Sequence, residues 1–397
     1  MKRDPKWVGK VHDAIDRGVA WLVSKQSSTG KFPAYEDVRG DVFELGMHAL
    51  ATLAVIKGGA PLAGEPVQKA LKVLHSLYDR HGGNLRTYEL GVTAMVLEAK
   101  YFALPPRQKS KGRGGRLIKF EREDLQLAER IALWLQAKQQ RDGFWRYPDG
   151  GSDLSNTQYA ALGLWACQRL GVAIDSGVLV RLLERTMEMQ QPEGVRVPFI
   201  TDPKNHRKPG VESRSGTFIR ARGWRYMPDE TIVENGQTRR VVWPYSGSMT
   251  TAGIAALGIG REILGKEDPW LAKNDSKLRM AMWEGLGWLQ KNWEIRDNPG
   301  QNGNWPFYWL YGLERVGRIC GVEYIGEHDW YVEGASHLLD DQREDGSWPK
   351  RQRMRLPGEQ NERWWSDQVD TAFAVLFLAL SSPELRIPPP AITGTGD

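Results

Sequence analysis

One phrase recurs along this chain, and its spacing limits what the chain can fold into. GVAWLVSKQSSTGKF spans Gly18 to Phe32, IALWLQAKQQRDGFW spans Ile131 to Trp145, and GASHLLDDQREDGSW spans Gly334 to Trp348. Each is an apolar helix end, then Gln, three residues, Gly, one residue and an aromatic. Weaker copies are MEMQQPEGVR (Met187 to Arg196), in which the aromatic is lost, and GLGWLQKNWEIRDNPGQNGNW (Gly285 to Trp305), in which an insertion separates Gln290 from Gly303. RHGGN, Arg80 to Asn84, is a fainter one. Fixed-period self-similarity is the mark of a repeat architecture, in which each unit buries its apolar face only against the next.

Around each phrase the apolar periodicity predicts two helices. The first helix of each pair is amphipathic and charged: Val11 to Lys25, Val67 to Tyr78, Asp124 to Lys138, Val178 to Met189, Lys277 to Asn292 and Asp329 to Asp341. The second is apolar nearly all round: Asp41 to Ile56, Tyr88 to Tyr101, Ser155 to Leu170, Met249 to Leu264, Pro306 to Ile319 and Asp367 to Leu380. A helix apolar on every side is a buried one. About six hairpins follow, their second helices forming an inner ring and their first helices an outer one. The predicted fold is therefore all-α, an (α/α)6 toroid forming one domain over 1–385, with a flexible Pro/Gly-rich tail over 386–397. An insertion around 192–244 carries Thr231 to Val242, whose Asn235-Gly236 dipeptide between β-branched runs predicts a β-hairpin.

Composition adds bounds. Tryptophan occurs 17 times, which calls for packing at repeat junctions or lining a pocket. The two cysteines, Cys167 and Cys320, form no disulfide or zinc pattern and point to a reducing, cytoplasmic setting. No apolar run is long enough to span a bilayer. The start lacks the apolar stretch of a signal peptide, as a trimmed secreted form also would. Basic stretches at Arg107 to Arg122 and Lys350 to Arg363 read as solvated loops or an anion-binding rim. The first has no interleaved aromatics, so nucleic acid is not expected. No metal-ligand cluster and no cofactor motif emerges.

The QxxxGxW phrase, complete at Gln139 to Trp145 and Gln342 to Trp348 and with Phe at Gln26 to Phe32, resembles the QW repeat of squalene–hopene and oxidosqualene cyclases. The related prenyltransferase and squalene oxidase repeat covers about Ala14 to Ser381. The resemblance implies a toroid with a central cavity for an isoprenoid or triterpene-type ligand, and protonation-initiated cyclase or mutase chemistry. It also implies contact with one bilayer leaflet, though no apolar plate is legible. The cyclase signature DxDDTA is matched at Asp367, Asp370, Thr371 and Ala372, but the middle position, to which the resemblance assigns the acid, is Val369. Neither cysteine follows an Asp by two residues, so the zinc site of the protein prenyltransferases is not matched.

Polar sets open the inner helices: Asp41 with Glu44, Asp153 with Asn156, and Asp367 with Asp370, with Thr87-Tyr88-Glu89 and Ser246-Gly247-Ser248 at equivalent places. Such residues cap helices. If the inner helices run parallel, their carboxylates also gather at one mouth, where mutual repulsion raises at least one pKa. Asp367, Asp370, Glu44 and Asp153 are the candidate catalytic residues. Candidate ligand-binding residues are Trp305, Tyr308, Tyr311, Trp364, Trp365, His48, Tyr88, Asn156, Ser248 and Arg363. Trp145 and Trp348 either pack at repeat junctions or face the same mouth as part of an apolar pocket. Two other functions fit the pattern: a non-catalytic scaffold presenting its rim to a protein partner, and an (α/α)6 polysaccharide lyase or hydrolase acting on acidic glycans through Lys350, Arg351, Arg353, Arg355 and Arg363.

Overall fold

The structure, a computed structural model, describes residues 4–34, 43–81, 85–103, 119–148, 150–198, 218–234, 237–349, 353–354, 363–364 and 367–390, with backbone alone at 230–234, 237–240, 353–354 and 363–364. Twelve helices lie among the described residues. The outer ones are α1 (Pro5–Ser24), α3 (Glu65–His81), α5 (Arg122–Lys138), α7 (Ser176–Glu188), α9 (Pro269–Lys291) and α11 (Trp330–Asp341). The inner ones are α2 (Glu44–Lys57), α4 (Thr87–Phe102), α6 (Leu154–Arg169), α8 (Gly247–Leu264), α10 (Pro306–Cys320) and α12 (Asp367–Leu378). All six predicted hairpins are present. Aspartates cap several outer helices: Asp4, Asp175, Asp268 and Asp329 accept backbone N–H bonds, and Pro follows Asp4 and Asp268 at the first helical position.

The inner helices pack in the order α2, α4, α6, α8, α10, α12 and back to α2, a closed ring. Burial follows the predicted two-layer pattern. Outer helix α3 buries Val67, Ala70, Leu71, Leu74, Leu77 and Tyr78, one stripe at helical spacing, whereas α2 is buried continuously from Leu45 to Ile56. No helix of the described residues is long and apolar enough to cross a membrane.

The repeated phrase is the joint between hairpins. In each copy the Gln amide donates two bonds. One goes to the carbonyl two residues before the aromatic, the other to the next outer helix: Gln26 to Gly30 and Pro66, Gln139 to Gly143 and Val178, Gln342 to Gly346 and Ala14. Gly30, Gly143 and Gly346 sit at φ 95°, 91° and 90°, a region any Cβ disfavours. Trp145 and Trp348 are fully buried, and their indoles donate to Leu135 O at 2.7 Å and Leu338 O at 2.9 Å. The aromatic's backbone N–H is bonded by a side chain four residues into the next inner helix: His48, Thr157 and Thr371.

The fourth copy corrects the sequence reading. Its aromatic is not lost but displaced. Gln190 donates to Arg222 O and Ala281 O, the Trp224 indole donates to Thr186 O, and Trp224 N–H meets Thr250. Trp224 is fully buried. The segment between Gln190 and Trp224 is an insertion inside the joint.

Among the described residues five two-stranded ribbons decorate the ring, where the sequence predicts one hairpin. That hairpin is β6 (Glu230–Glu234) against β7 (Gln237–Val241), with Glu234 opposite Gln237. β3 (Arg196–Pro198) pairs with β4 (Phe218–Arg220), and β9 (Arg353–Met354) with β10 (Arg363–Trp364). The remaining two, β1 (Trp145–Arg146) with β2 (Ser152–Asp153) and β5 (Trp224–Arg225) with β8 (Tyr245–Ser246), tie a junction Trp to the N-cap of the following inner helix: Trp145 to Asp153, Trp224 to Ser246.

The tail expected to run free from 386 is anchored at its start. Ile387 is buried and bonds Ile319 O at 3.0 Å, and Arg279 reaches Pro389 O at 2.5 Å. Residues 391–397 lie outside the described set.

Candidate functional site

First-turn residues of several inner helices meet one another across the ring at one mouth. Tyr308 of α10 reaches across to α6, bonding Ser155 Oγ at 2.9 Å and also Gln158. One turn deeper, Tyr159 of α6 meets Tyr88 of α4 edge-on at 4.7 Å and stacks towards Tyr308 at 6.4 Å. Tyr311 of α10 stacks with Phe373 of α12 at 5.6 Å. The ring is thus lined by an aromatic belt contributed by four helices.

Below the belt sits Arg315 of α10, 1% exposed. Its Nη1 donates to Gln158 Oε1 at 2.7 Å. Its guanidinium lies 4.4 Å from the Tyr311 ring centre and 5.9 Å from that of Tyr159, so cation–π attraction offsets part of its desolvation. Burial alone would lower its pKa, yet the neighbouring tyrosines raise it, and Arg315 stays charged.

At the mouth, Asp153 is 1% exposed. It accepts from Asn156 N and Asn156 Nδ2, both at 2.7 Å, and from the Tyr226 side chain. Burial pushes its carboxyl up to about 6, against the lowering effect of those bonds. The cause is desolvation rather than the carboxylate crowding expected from sequence. Among the described residues Asp153 makes no ion pair. Glu89, on α4, is also buried; it accepts from Gly46 N at 3.0 Å, and burial raises its pKa against that bond and the charges of Arg86 and His81. Tyr147 stands where both carboxylates are felt, and burial together with Asp153 and Glu89 holds its hydroxyl protonated.

The other predicted residues divide. Tyr88, Tyr308 and Tyr311 belong to the aromatic belt. Asn156 lies beside Asp153, its Oδ1 buried without a hydrogen-bond partner. Trp305 is half-buried at the mouth, its ring edge-on to Tyr308 at 6.5 Å. Asp370 is fully buried on α12, next to Val369 and one turn from Asp367. Asp367 instead pairs with Arg343 at 3.1 Å on the outer side. Glu44 is bound by Lys31 and by His81 at 2.9 Å; burial raises its pKa, but those partners prevail and the net shift is downward, the opposite of a poised acid. Ser248 is held by Asn298, through Asn298 Nδ2 at 2.9 Å, in a capping arrangement. Asp41 and Trp365 lie outside the described residues, as do the side chains of Trp364, Arg363, Arg353 and Arg351. Of the two basic stretches, 107–118 and Lys350 lie outside them as well.

His48 does not enter the cavity. Its Nδ1 accepts from Phe32 N at 3.2 Å and its Nε2 donates to Ala70 O at 2.8 Å, on the outer side of α2. Those bonds require the neutral ring, and burial first, then the charge of Lys31, depresses its pKa to about 4 from 6.5. Between those values the unfolded chain binds a proton the fold excludes. Stability is therefore full above pH 6.5 and falls by about 3 kcal/mol as the pH drops to 4. His48→Thr, which installs the residue found at this place in α6, α8 and α12, is expected to weaken that pH dependence. Urea midpoints at pH 7 and pH 4.5 measure it; an undiminished difference in the variant would rule this account out.

Sequence reasoning missed Gln158, Tyr159 and Arg315, and it placed Glu89 in a helix-opening set without naming it a candidate. Glu314-Arg315 was the available signal: a charged pair in the middle of an otherwise apolar inner helix. The two cysteines are buried, and burial pushes both thiols up to about 12, so they are inert packing groups. A separate cleft of about 390 Å³ opens at the outer rim, between the ends of α7 and α9 and the insertion, lined by Gln191, Arg220, Trp288 and Lys291. It contains none of the buried acids.

No family model matches the chain, and no curated protein matches it. Solved structures do. The type II terpene cyclase MstE from Scytonema, as a variant in complex with geranylgeranyl dihydroxybenzoate, superposes with a TM-score of 0.54 at 12% identity, over 94% of this chain and 97% of that one. The GH76A α-1,6-mannanase from Salegentibacter sp. HEL1_6 superposes with a TM-score of 0.57 at 8% identity, over 93% and 98%. An inactive variant of that mannanase with α-1,6-mannotriose gives 0.57 at 9% identity, over 94% and 99%. At such identities the likeness establishes a shared α/α toroid and leaves the activity open.

Proposed function

We propose that this chain is a glycan-cleaving enzyme working at the mouth of its ring, with Asp153 as the general acid and Glu89 as the second carboxylate. The observation that carries the reading is Asp153 itself: a buried carboxyl without an ion pair, protonated up to a pH of about 6, beside a lining rich in hydroxyl and amide groups. Glycosidic oxygen is protonated by a carboxylic acid of raised pKa while a second carboxylate acts as base or nucleophile. Tyr88, Tyr308 and Tyr311 offer flat faces for sugar rings, and Ser155, Asn156 and Gln158 offer hydrogen bonds. Incubation with neutral and uronic-acid oligosaccharides, read by mass spectrometry, tests it. Product is expected, with turnover falling as the pH rises through about 6. An absence of saccharide cleavage, with turnover of a geranylgeranyl substrate, would replace it with the reading below.

The second reading is an isoprenoid site with protonation-initiated chemistry, favoured by the QW repeats and the aromatic belt, whose π faces suit a carbocation. Two features weigh against it. Arg315 already occupies the faces of Tyr159 and Tyr311, and a second positive charge about 6 Å away would be opposed by about 3 kcal/mol at an effective dielectric of about 20. Val369 also stands where the resemblance places the acid.

A further inference from the structure

Arg315 is buried, charged and only partly bonded. Nη1 is tied to Gln158 and the Tyr311 side chain also bears on the guanidinium, while Nε and Nη2 find no acceptor at hydrogen-bonding distance and angle among the described residues. Those two nitrogens form one edge of the guanidinium, the side-on fork that matches a pair of anionic oxygens. Leaving donors of a buried charged group unsatisfied is costly, so a ligand that supplies acceptors to them is favoured there. The cation is also placed where a ligand entering past Asp153 and the aromatic belt would end.

We infer that the free edge of Arg315 is an anion receptor at the floor of the ring, and that the substrate carries a carboxylate or phosphate group seated on it. Gln158 holds the guanidinium through Nη1, and Tyr159, whose ring centre lies 5.9 Å from it, carries a hydroxyl likewise buried without a partner among the described residues. The inference rests on the ring interior being the ligand site and narrows the glycan reading to acidic sugars, as uronates or sugar phosphates.

Full-length protein labelled with ¹⁵N-arginine tests it. The Nε–H resonance of Arg315, assigned by its loss in Arg315→Lys, is followed on titration with glucuronate, glucose 1-phosphate and glucose. A saturable shift with either anion and none with glucose is the expected result, and whichever anion shifts it identifies the source of the charge. No shift with either anion, or equal shifts with all three, overturns the receptor. In a calorimetric titration of glucuronate, Arg315→Met is expected to weaken binding at least about 30-fold, with its fold checked by circular dichroism. Unchanged affinity in a folded variant also overturns the proposal. Because the resonance is read without turnover, a positive shift with no saccharide cleavage would retain the receptor and reject Asp153 as the acid; cleavage with no shift would do the reverse.

Discussion

Asp153→Asn is expected to lower saccharide turnover by about 10³-fold, within the range general acids contribute, without destabilising the fold near neutral pH. The two outcomes have one cause. The carboxyl has a folded-state pKa of about 6 against an ordinary value of 3.8. Below pH 3.8 both states are protonated and there is no penalty. Above pH 6 both are ionised and the fold carries the full cost of a buried charge, about 3 kcal/mol at 1.36 kcal/mol per unit. Asparagine keeps an oxygen for the Asn156 N–H and removes the charge, so the variant gains relative stability as pH rises from 4 to 7. Denaturant unfolding at the two pH values, beside turnover, checks both limbs. A variant that still turns over, or whose relative stability ignores pH, refutes the assignment.

The ring was legible because apolar periodicity differs between the two helices of each hairpin, and because the Gln–Gly–Trp joint depends on local spacing. Where that spacing is broken, legibility failed: Trp224 belongs with Gln190, but the intervening segment hides the pairing. The site was legible in part. Helix-opening residues are visible in sequence, and Asp153 was among them. Yet Asp153, Ser246, Asp367 and Glu44 occupy one repeat-equivalent place, and what separates them is partners from elsewhere in the chain: Arg343 for Asp367, Lys31 and His81 for Glu44. Arg315 lies deep in an inner helix, where no motif marks it and only its charge betrays it.

Trp348→Ala is expected to destabilise the protein by about 3–5 kcal/mol. The indole is fully buried, and its removal opens a cavity and leaves Leu338 O with the Gln342 N–H alone. A Cβ added at Gly18 would lie 2.8 Å from the ring, so Trp348 fills the seam between the sixth hairpin and α1. That seam is held by Gln342 on Ala14 O, Trp21 on Asp345 at 3.1 Å, and Trp7 against Tyr331, with no peptide linker between its two sides. The Trp145 joint has a linker, so Trp145→Ala is expected to lose similar stability without releasing a helix. Limited proteolysis distinguishes them: cleavage within α1 is expected in Trp348→Ala alone. Equal protection of α1 in both variants would contradict the seam.

The insertion between Gln190 and Trp224 leaves and re-enters the ring at a single joint, whose bonds are those of the uninterrupted copies. Its base nevertheless rests on the outer ring: Val197 and Ile219 are buried against Gly287 of α9, and Arg222 pairs with Glu284 at 2.8 Å. A change of length between β3 and β4 is therefore the one that leaves both the joint and this seat on the outer ring in place.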